Sequence, residues 1–295
     1  MADVLLNSSP LALGASPVRI HYRDIGDGPP LVILHGGWGY DAYPFDRQLA
    51  ALAPRHRIVI PDRTGYGGSG ALDSLPTDFH PRAADETRAL IDALGLARPI
   101  LWGHSDGAIV ALLVALAAPD SIAGAIVEAT HYFKHKPASR AFFEGVAARP
   151  RSTFLEVHSR TWLRIVDEAV PGEDFYGGRL SELLLPVLVI HGTHDPRTEP
   201  GELETLRRAL ERRAAAVAPP APRQGPPTLV LNACEQRREA VRHFQILEQG
   251  GHSPHSEQAT STQVTEAALG FLTDVAQTFS SAEALTKAIS PTNPQ

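Results

Sequence analysis

Short apolar runs recur along the chain, each bounded by turn residues and followed by a segment with helical spacing. The runs are Leu31 to Leu34, Arg57 to Ile60, Ile100 to Trp102, Ile122 to Val127, Val187 to Ile190 and Phe244 to Leu247. They are apolar at consecutive rather than alternate positions, the signature of strands covered on both faces. Strands of this kind alternating with helices predict an α/β fold, a mainly parallel sheet with helices on both sides. Val18 to Tyr22 alternates apolar and polar residues and predicts an edge strand paired with a neighbour as a hairpin. Every residue from Ala108 to Ala118 is apolar. That is too long for an ordinary strand and predicts a helix buried on all sides, ended by Pro119.

Two stretches break the rhythm. From His131 to Leu184 the sequence is aromatic and irregular, with Tyr132, Phe133, Phe142, Phe143, Phe154, Trp162, Phe175 and Tyr176, and holds no buried strand. It reads as a small helical insertion, residues 131–184, in a core formed by residues 1–130 and 185–279. The second break, residues 214–242, begins Ala-Ala-Ala-Val-Ala-Pro-Pro-Ala-Pro and suits a loop excursion, with Thr228 to Leu231 a possible short strand inside it. Residues 280–295 read as a fraying tail.

The chemistry is concentrated at the carboxyl ends of these strands. Gly103-His104-Ser105-Asp106-Gly107 fits G-x-S-x-G and stands between an apolar strand and the all-apolar helix, the context in which this pattern is a nucleophile elbow. Such a turn lifts the Ser105 hydroxyl to its tip, and the helix amino terminus places partial positive charge where an oxyanion would form. Upstream, Leu31 to Leu34 runs into His35-Gly36-Gly37-Trp38-Gly39. The N–H of Gly37 or Trp38, together with that of Asp106, would make the oxyanion hole. The Asp106 side chain is expected to cap the helix or face away from the pocket. Downstream, Val187 to Ile190 leads through His191-Gly192-Thr193-His194 to Asp195, and Gln249-Gly250-Gly251 precedes His252. Serine, acid and histidine thus follow one another in the order this elbow requires. Ser105 is the expected nucleophile, His252 the base and Asp195 the acid that orients it, with His255 in reserve and otherwise a surface residue. Glu128, at the end of its own strand, is the rival acid. His104, Glu128, His131 and Tyr132 are candidate substrate contacts.

These motifs resemble the α/β-hydrolase fold family, close to its bacterial esterase-like branch. The resemblance covers roughly residues 17 to 278. It rests on His35 to Gly39, Asp62-Arg-Thr-Gly-Tyr-Gly-Gly-Ser69, Gly103 to Gly107, Gly192 to Asp195 and Gly251-His252. It implies an eight-stranded sheet, a cap between the sixth and seventh strands, where residues 131–184 fall, and no cofactor. It also favours Asp195 over Glu128, because Gly-x-x-Asp is the commoner family form of the acid turn. The long Pro-rich segment before the last strand departs from the family pattern.

Composition narrows the partners. A chain of 295 residues that is 43% hydrophobic can bury one large core, and a net charge of -6 with Lys and Arg scattered among acids recommends neither nucleic acid nor an anionic membrane. The amino terminus has no signal-like apolar stretch, and no window approaches the roughly 18 apolar residues of a membrane span. A single cysteine, Cys234, rules out an intrachain disulfide and suits the cytoplasm. Gly65-Tyr-Gly67-Gly-Ser-Gly70 satisfies G-x-G-x-x-G after a strand, but Leu72-Asp-Ser-Leu-Pro76 follows where a dinucleotide site needs a helix. The histidine pairs His131/His135, His191/His194 and His252/His255 do not form a zinc motif. The expected function is hydrolysis of a small to medium carboxylic ester or lactone through an acyl-enzyme. Amide, thioester or carbon–carbon cleavage by the same triad, and a non-catalytic ligand receptor, are the alternatives.

Overall fold

A computed structural model describes residues 1–12, 16–211 and 242–289. The elements in chain order are strands β1 (Ala2–Leu6), β2 (Val18–Ile25) and β3 (Pro30–Leu34), helix α1 (Asp46–Leu52), strand β4 (Arg57–Pro61), helix α2 (Phe79–Ala93), strand β5 (Ile100–His104), helix α3 (Asp106–Ala117) and strand β6 (Gly124–Glu128). Helices α4 (Pro137–Ala148) and α5 (Thr153–Glu168) come next, then β7 (Val187–Gly192), α6 (Glu202–Glu211), β8 (Arg242–Leu247) and α7 (Ser261–Ile289). The eight strands form one sheet in the order β1-β2-β4-β3-β5-β6-β7-β8. Only the β1–β2 and β2–β4 pairings are antiparallel.

The continuous apolar runs are explained by burial on both faces. Along β3, Val32 and Leu34 pack beneath α2 and α3, while Leu31 and Ile33 belong to the core under α1 and α7. α7 presents Val264, Ala268, Phe271, Leu272 and Val275 to that second core, a stripe at helical spacing. α3 is buried over most of its surface, as its sequence requires.

Between β6 and β7 the chain forms α4 and α5. Pro137 opens α4 at a position where a missing N–H costs nothing, and the Ser152 side chain accepts the Leu155 N–H at the start of α5. Phe143 of α4 and Trp162 of α5 stack with centroids 5.0 Å apart, and with Tyr132 and Tyr176 they join the core formed by α2, α3 and one face of the sheet.

Several elements differ from the sequence expectation. β1, the partner of β2, has no strong pattern of its own. β6 begins at Gly124 rather than Ile122, because the turn at Ser121 delays pairing until Gly124 meets Ile100. α7 continues through Ile289, into the tail expected to fray from residue 280. The Pro-rich excursion up to residue 241, with Thr228 to Leu231 and Cys234, lies outside the described residues. Among the described residues no helix is long and apolar enough to cross a membrane.

Candidate active site

The turn from β5 into α3 is forced by two glycines. A Cβ on Gly103 would stand 2.1 Å from the Gly107 carbonyl oxygen, and one on Gly107 would stand 2.0 Å from that of Leu34. Only hydrogen fits at either place, and the close approach leaves Ser105 at φ 53°, ψ -119°, a conformation an L-residue adopts under constraint. The Ser105 N–H donates to the Glu128 carbonyl at 2.9 Å, and its own carbonyl accepts from Ala108 and Ile109, so sheet and helix both hold the strained residue.

His252 and Asp195 arrive on two loops stitched together. Thr193 N–H donates to Leu247 O and His194 N–H to Gly250 O, each at 2.9 Å, and a Cβ on Gly192 would lie 2.2 Å from the Gly250 oxygen. Glu257 accepts the N–H groups of Gly251 and Ser253, fixing the peptides on either side of His252. His252 Nε2 lies 3.0 Å from Ser105 Oγ, and its Nδ1 lies 2.9 Å from Asp195 Oδ2. The second Asp195 oxygen accepts the Arg197 N–H. Burial disfavours the Asp195 charge most, but the hydrogen bond from His252, the charge interactions with His252 and His131 and the Arg197 N–H together outweigh it and hold the carboxyl well below the usual range. Burial also lowers the His252 pKa, with Asp195 opposing, so the imidazole is neutral at neutral pH.

Of the residues singled out from sequence, Gly37, Trp38, Ser105, Asp106 and His131 border one small cavity. His131 stacks on His252 at 5.6 Å. The cavity is too tight to admit a water molecule. Three candidate substrate contacts lie elsewhere. His104 points behind the site, 2.9 Å from the His252 carbonyl, and supports the loop of the base. Glu128 is fully buried and accepts both the N–H and Nδ1–H of His255 and, more weakly, Trp102 Nε1–H. It faces His255, not His131, so it is neither the acid beside His252 nor a pocket residue. The Tyr132 ring packs against Phe133 and Tyr176 and does not border that cavity. His255 is no surface residue either: it is buried and stacked on Phe45 at 3.7 Å.

Asp106 corrects a further expectation. Its side chain does not cap α3. It is buried and lies within hydrogen-bond distance of His80, His158 and Trp162. Those contacts outweigh the burial that opposes ionisation, leaving the carboxyl well below its ordinary range. His158, Trp162 and Phe143 also line the cavity, joined by Arg197 of the β7–α6 connection. Sequence reasoning placed Phe143 and Trp162 in an aromatic insertion but gave no role to His80, His158, Arg197 or Glu257. Only the position of Arg197, two residues past the acid, could have signalled it. The Gly65 to Gly70 loop leads to no helix until Phe79, and its Gly68 N–H donates to Asp62. Among the described residues no group of three or more His, Cys, Asp or Glu side chains is placed to hold a metal ion.

The sequence profile of the Alpha/beta hydrolase family matches residues 31–262. The chain belongs to that family. Its relatives carry different chemistries. Haloalkane dehalogenase 2 of Mycobacterium tuberculosis is 29% identical over 135 residues, 45% of this chain and 46% of that protein. This chain therefore spans about half the length of that relative. The 2-heptyl-3-hydroxy-4-quinolone dioxygenase AqdC2 of Rhodococcus erythropolis is 28% identical over 216 residues, 61% of this chain and 78% of that protein. Among solved structures, a thermophilic esterase from Thermogutta terrifontis superposes with a TM-score of 0.61 at 21% identity, covering 93% of this chain and 99% of the other. That likeness is one of fold.

Proposed function

We propose that the protein is a serine hydrolase that cleaves a small carboxylic ester or lactone through an acyl-enzyme. The observation that carries this is the continuous relay from Asp195 through His252 to Ser105, at 2.9 and 3.0 Å, ending on a hydroxyl held at positive φ. His252 Nε2 removes the Ser105 proton as Oγ attacks the substrate carbonyl, and Asp195 fixes the tautomer and stabilises the imidazolium. The developing oxyanion is held by the N–H of Asp106, which as a first-turn donor has no partner within its helix, and by the N–H of Gly37. The Gly36 carbonyl accepts the Gly39 N–H, and this turns the Gly37 N–H of the same peptide the other way. The leaving alcohol takes the proton from His252, and water, activated by the same base, releases the acid. The residues of α4 and α5 that face Ser105 form the acyl pocket, as a cap would.

Serine at position 105 weighs against the dehalogenase reaction. Displacement of a halide by a serine alkoxide would leave an alkyl ether, which water does not cleave, so the cycle would stop after one turnover. The experiment is labelling by a fluorophosphonate, followed by turnover of p-nitrophenyl esters of increasing acyl length. The wild type is expected to label and the Ser105→Ala variant not to, with kcat lower by about 10⁴ to 10⁶ in the variant. A folded Ser105→Ala protein that retains more than a hundredth of the wild-type rate would refute the assignment. So would a reaction that consumes O2 and leaves Ser105 unlabelled, as expected of a dioxygenase.

A further inference from the structure

Buried cations in proteins are normally paired, because an unpaired charge away from water is costly. Lys136, fully buried, obeys the rule and donates to Glu202. Arg197 does not. It is 8% exposed, lines the cavity over Ser105, and its Nε is buried without a hydrogen-bond partner. The carboxylates nearest in charge effect are already committed. Asp195 spends its oxygens on His252 and on the Arg197 backbone N–H. Asp106 spends its oxygens on His80, His158 and Trp162. The guanidinium is thus left with the Tyr43 hydroxyl beside it and no carboxylate partner among the described residues.

Its position is nevertheless built. The Arg197 carbonyl accepts from Ser139 Oγ, and its N–H is held by Asp195. The guanidinium carbon lies 3.8 Å from the Phe142 ring centre and 5.0 Å from that of Trp38. Stacking of this kind orients the plane while leaving the edge N–H groups free for a bidentate acceptor. Trp38 and Phe142 also form the inner wall of an open cleft of about 390 Å3 whose rim carries the exposed residues Arg149 and Arg151. In a molecule of net charge -6, the cleft that shares Trp38 with the cavity thus carries two cations, and a third lines the cavity itself. Such a local field draws anions toward the cleft.

We infer that Arg197 is a specificity residue that receives a carboxylate of the substrate, so the preferred ester carries a negative charge within a few bonds of the scissile carbonyl, as in a dicarboxylic acid monoester. This rests on the serine-hydrolase reading. The reaction is ordinary ester hydrolysis, ester and water giving a dicarboxylate and an alcohol, and Arg197 takes no part in proton transfer.

The test compares p-nitrophenyl monoesters of succinate, glutarate and adipate with their methyl-capped, uncharged counterparts, in wild type, Arg197→Gln and Arg197→Lys. For the best chain length the wild type is expected to favour the charged ester at least tenfold in kcat/KM, mainly through KM. Arg197→Gln should bring the charged-to-neutral ratio to within threefold, and Arg197→Lys should restore part of it. A wild type without preference at every length, or a preference that survives in Arg197→Gln, overturns the inference. Calorimetric titration with glutarate gives a reading independent of turnover: binding by wild type that weakens at least tenfold in Arg197→Gln supports the carboxylate site, and equal or absent binding in both refutes it. If fluorophosphonate fails to label the wild type while glutarate binding still depends on Arg197, the hydrolase reading fails and the anion site stands.

Discussion

At the scale of single residues, two acids end on neighbouring strands, yet their surroundings give them different work. Asp195 meets the His252 imidazole, while Glu128 is enclosed between His255 and Trp102. Replacing Asp195 by Asn removes the acceptor that fixes the tautomer, and kcat is expected to fall by about 10⁴ with the fold retained. Replacing Glu128 by Gln keeps an oxygen for His255 but turns an amide donor toward the Trp102 N–H. The cost should appear as about 1–3 kcal/mol of stability, with kcat far less affected than in Asp195→Asn. Denaturant unfolding and steady-state kinetics on both variants check the pair, and the opposite ranking would place the acid on β6. Burial sets the pH dependence as well. Because the His252 pKa lies below its ordinary 6.5, the acid limb of kcat/KM is expected below pH 6.5. The three relay residues were legible in sequence because each follows an apolar strand and a glycine turn. His158 and His80 were not, since a buried polar side chain is recognised by its partner, and Asp106 lies 52 and 26 residues away in the chain; Arg197 showed only its place two residues past Asp195.

At the scale of elements, the elbow joins β5 to α3 through contacts that leave no space for a methyl group. Gly103→Ala would set a Cβ 2.1 Å from backbone, and no flexible atom can yield. Loss of soluble protein, or destabilisation of about 3 kcal/mol or more, is expected in thermal melting. Gly145 in α4 provides the contrast, for nothing lies within 4 Å of a Cβ there. Gly145→Ala should stabilise by about 0.5–1 kcal/mol through helix propensity alone. If both substitutions were neutral, the close strand–helix packing would be wrong. The parallel strands were legible because both faces are buried and their runs are continuous. β1 was not, because Ala2 to Leu6 is partly exposed along its length and is placed by pairing with β2 and by packing of Leu6 against Leu90 of α2. The two inserted helices were legible only as an aromatic, strandless stretch, since the Phe143–Trp162 stack that joins them is a contact between distant positions.

At the scale of the whole molecule, several of the described histidines are buried and pushed toward their neutral form. Burial pushes His35 down to about 3, with Arg63 adding to the effect, and lowers His80, His104, His131 and His252 as well. In the unfolded chain these residues titrate near their ordinary pKa of about 6.5. Below that pH the unfolded state binds protons that the native state refuses, so stability must fall as pH falls from 6.5 toward the native values. Each such histidine contributes up to about 1.4 kcal/mol per pH unit, so His35 alone should cost about 2 kcal/mol between pH 6.5 and 5. The depressed Asp106 and Asp195 act lower still, contributing above their unfolded pKa of about 4 and losing that contribution in stronger acid. Urea midpoints at pH 7.5, 6 and 5 test the sum, and an unchanged midpoint across that range would contradict it.

The cavity over Ser105 excludes even a water molecule in the described state. Anything larger than that void reaches Ser105 only while its walls, Trp38, Phe143 and Trp162 among them, stand further apart. Association is then slowed by the fraction of time spent open, and apparent affinity is weakened by the same fraction. The converse follows for anything caught inside. A covalent or tightly held occupant leaves no faster than the walls part, so residence time becomes a property of the walls rather than of the contacts they make.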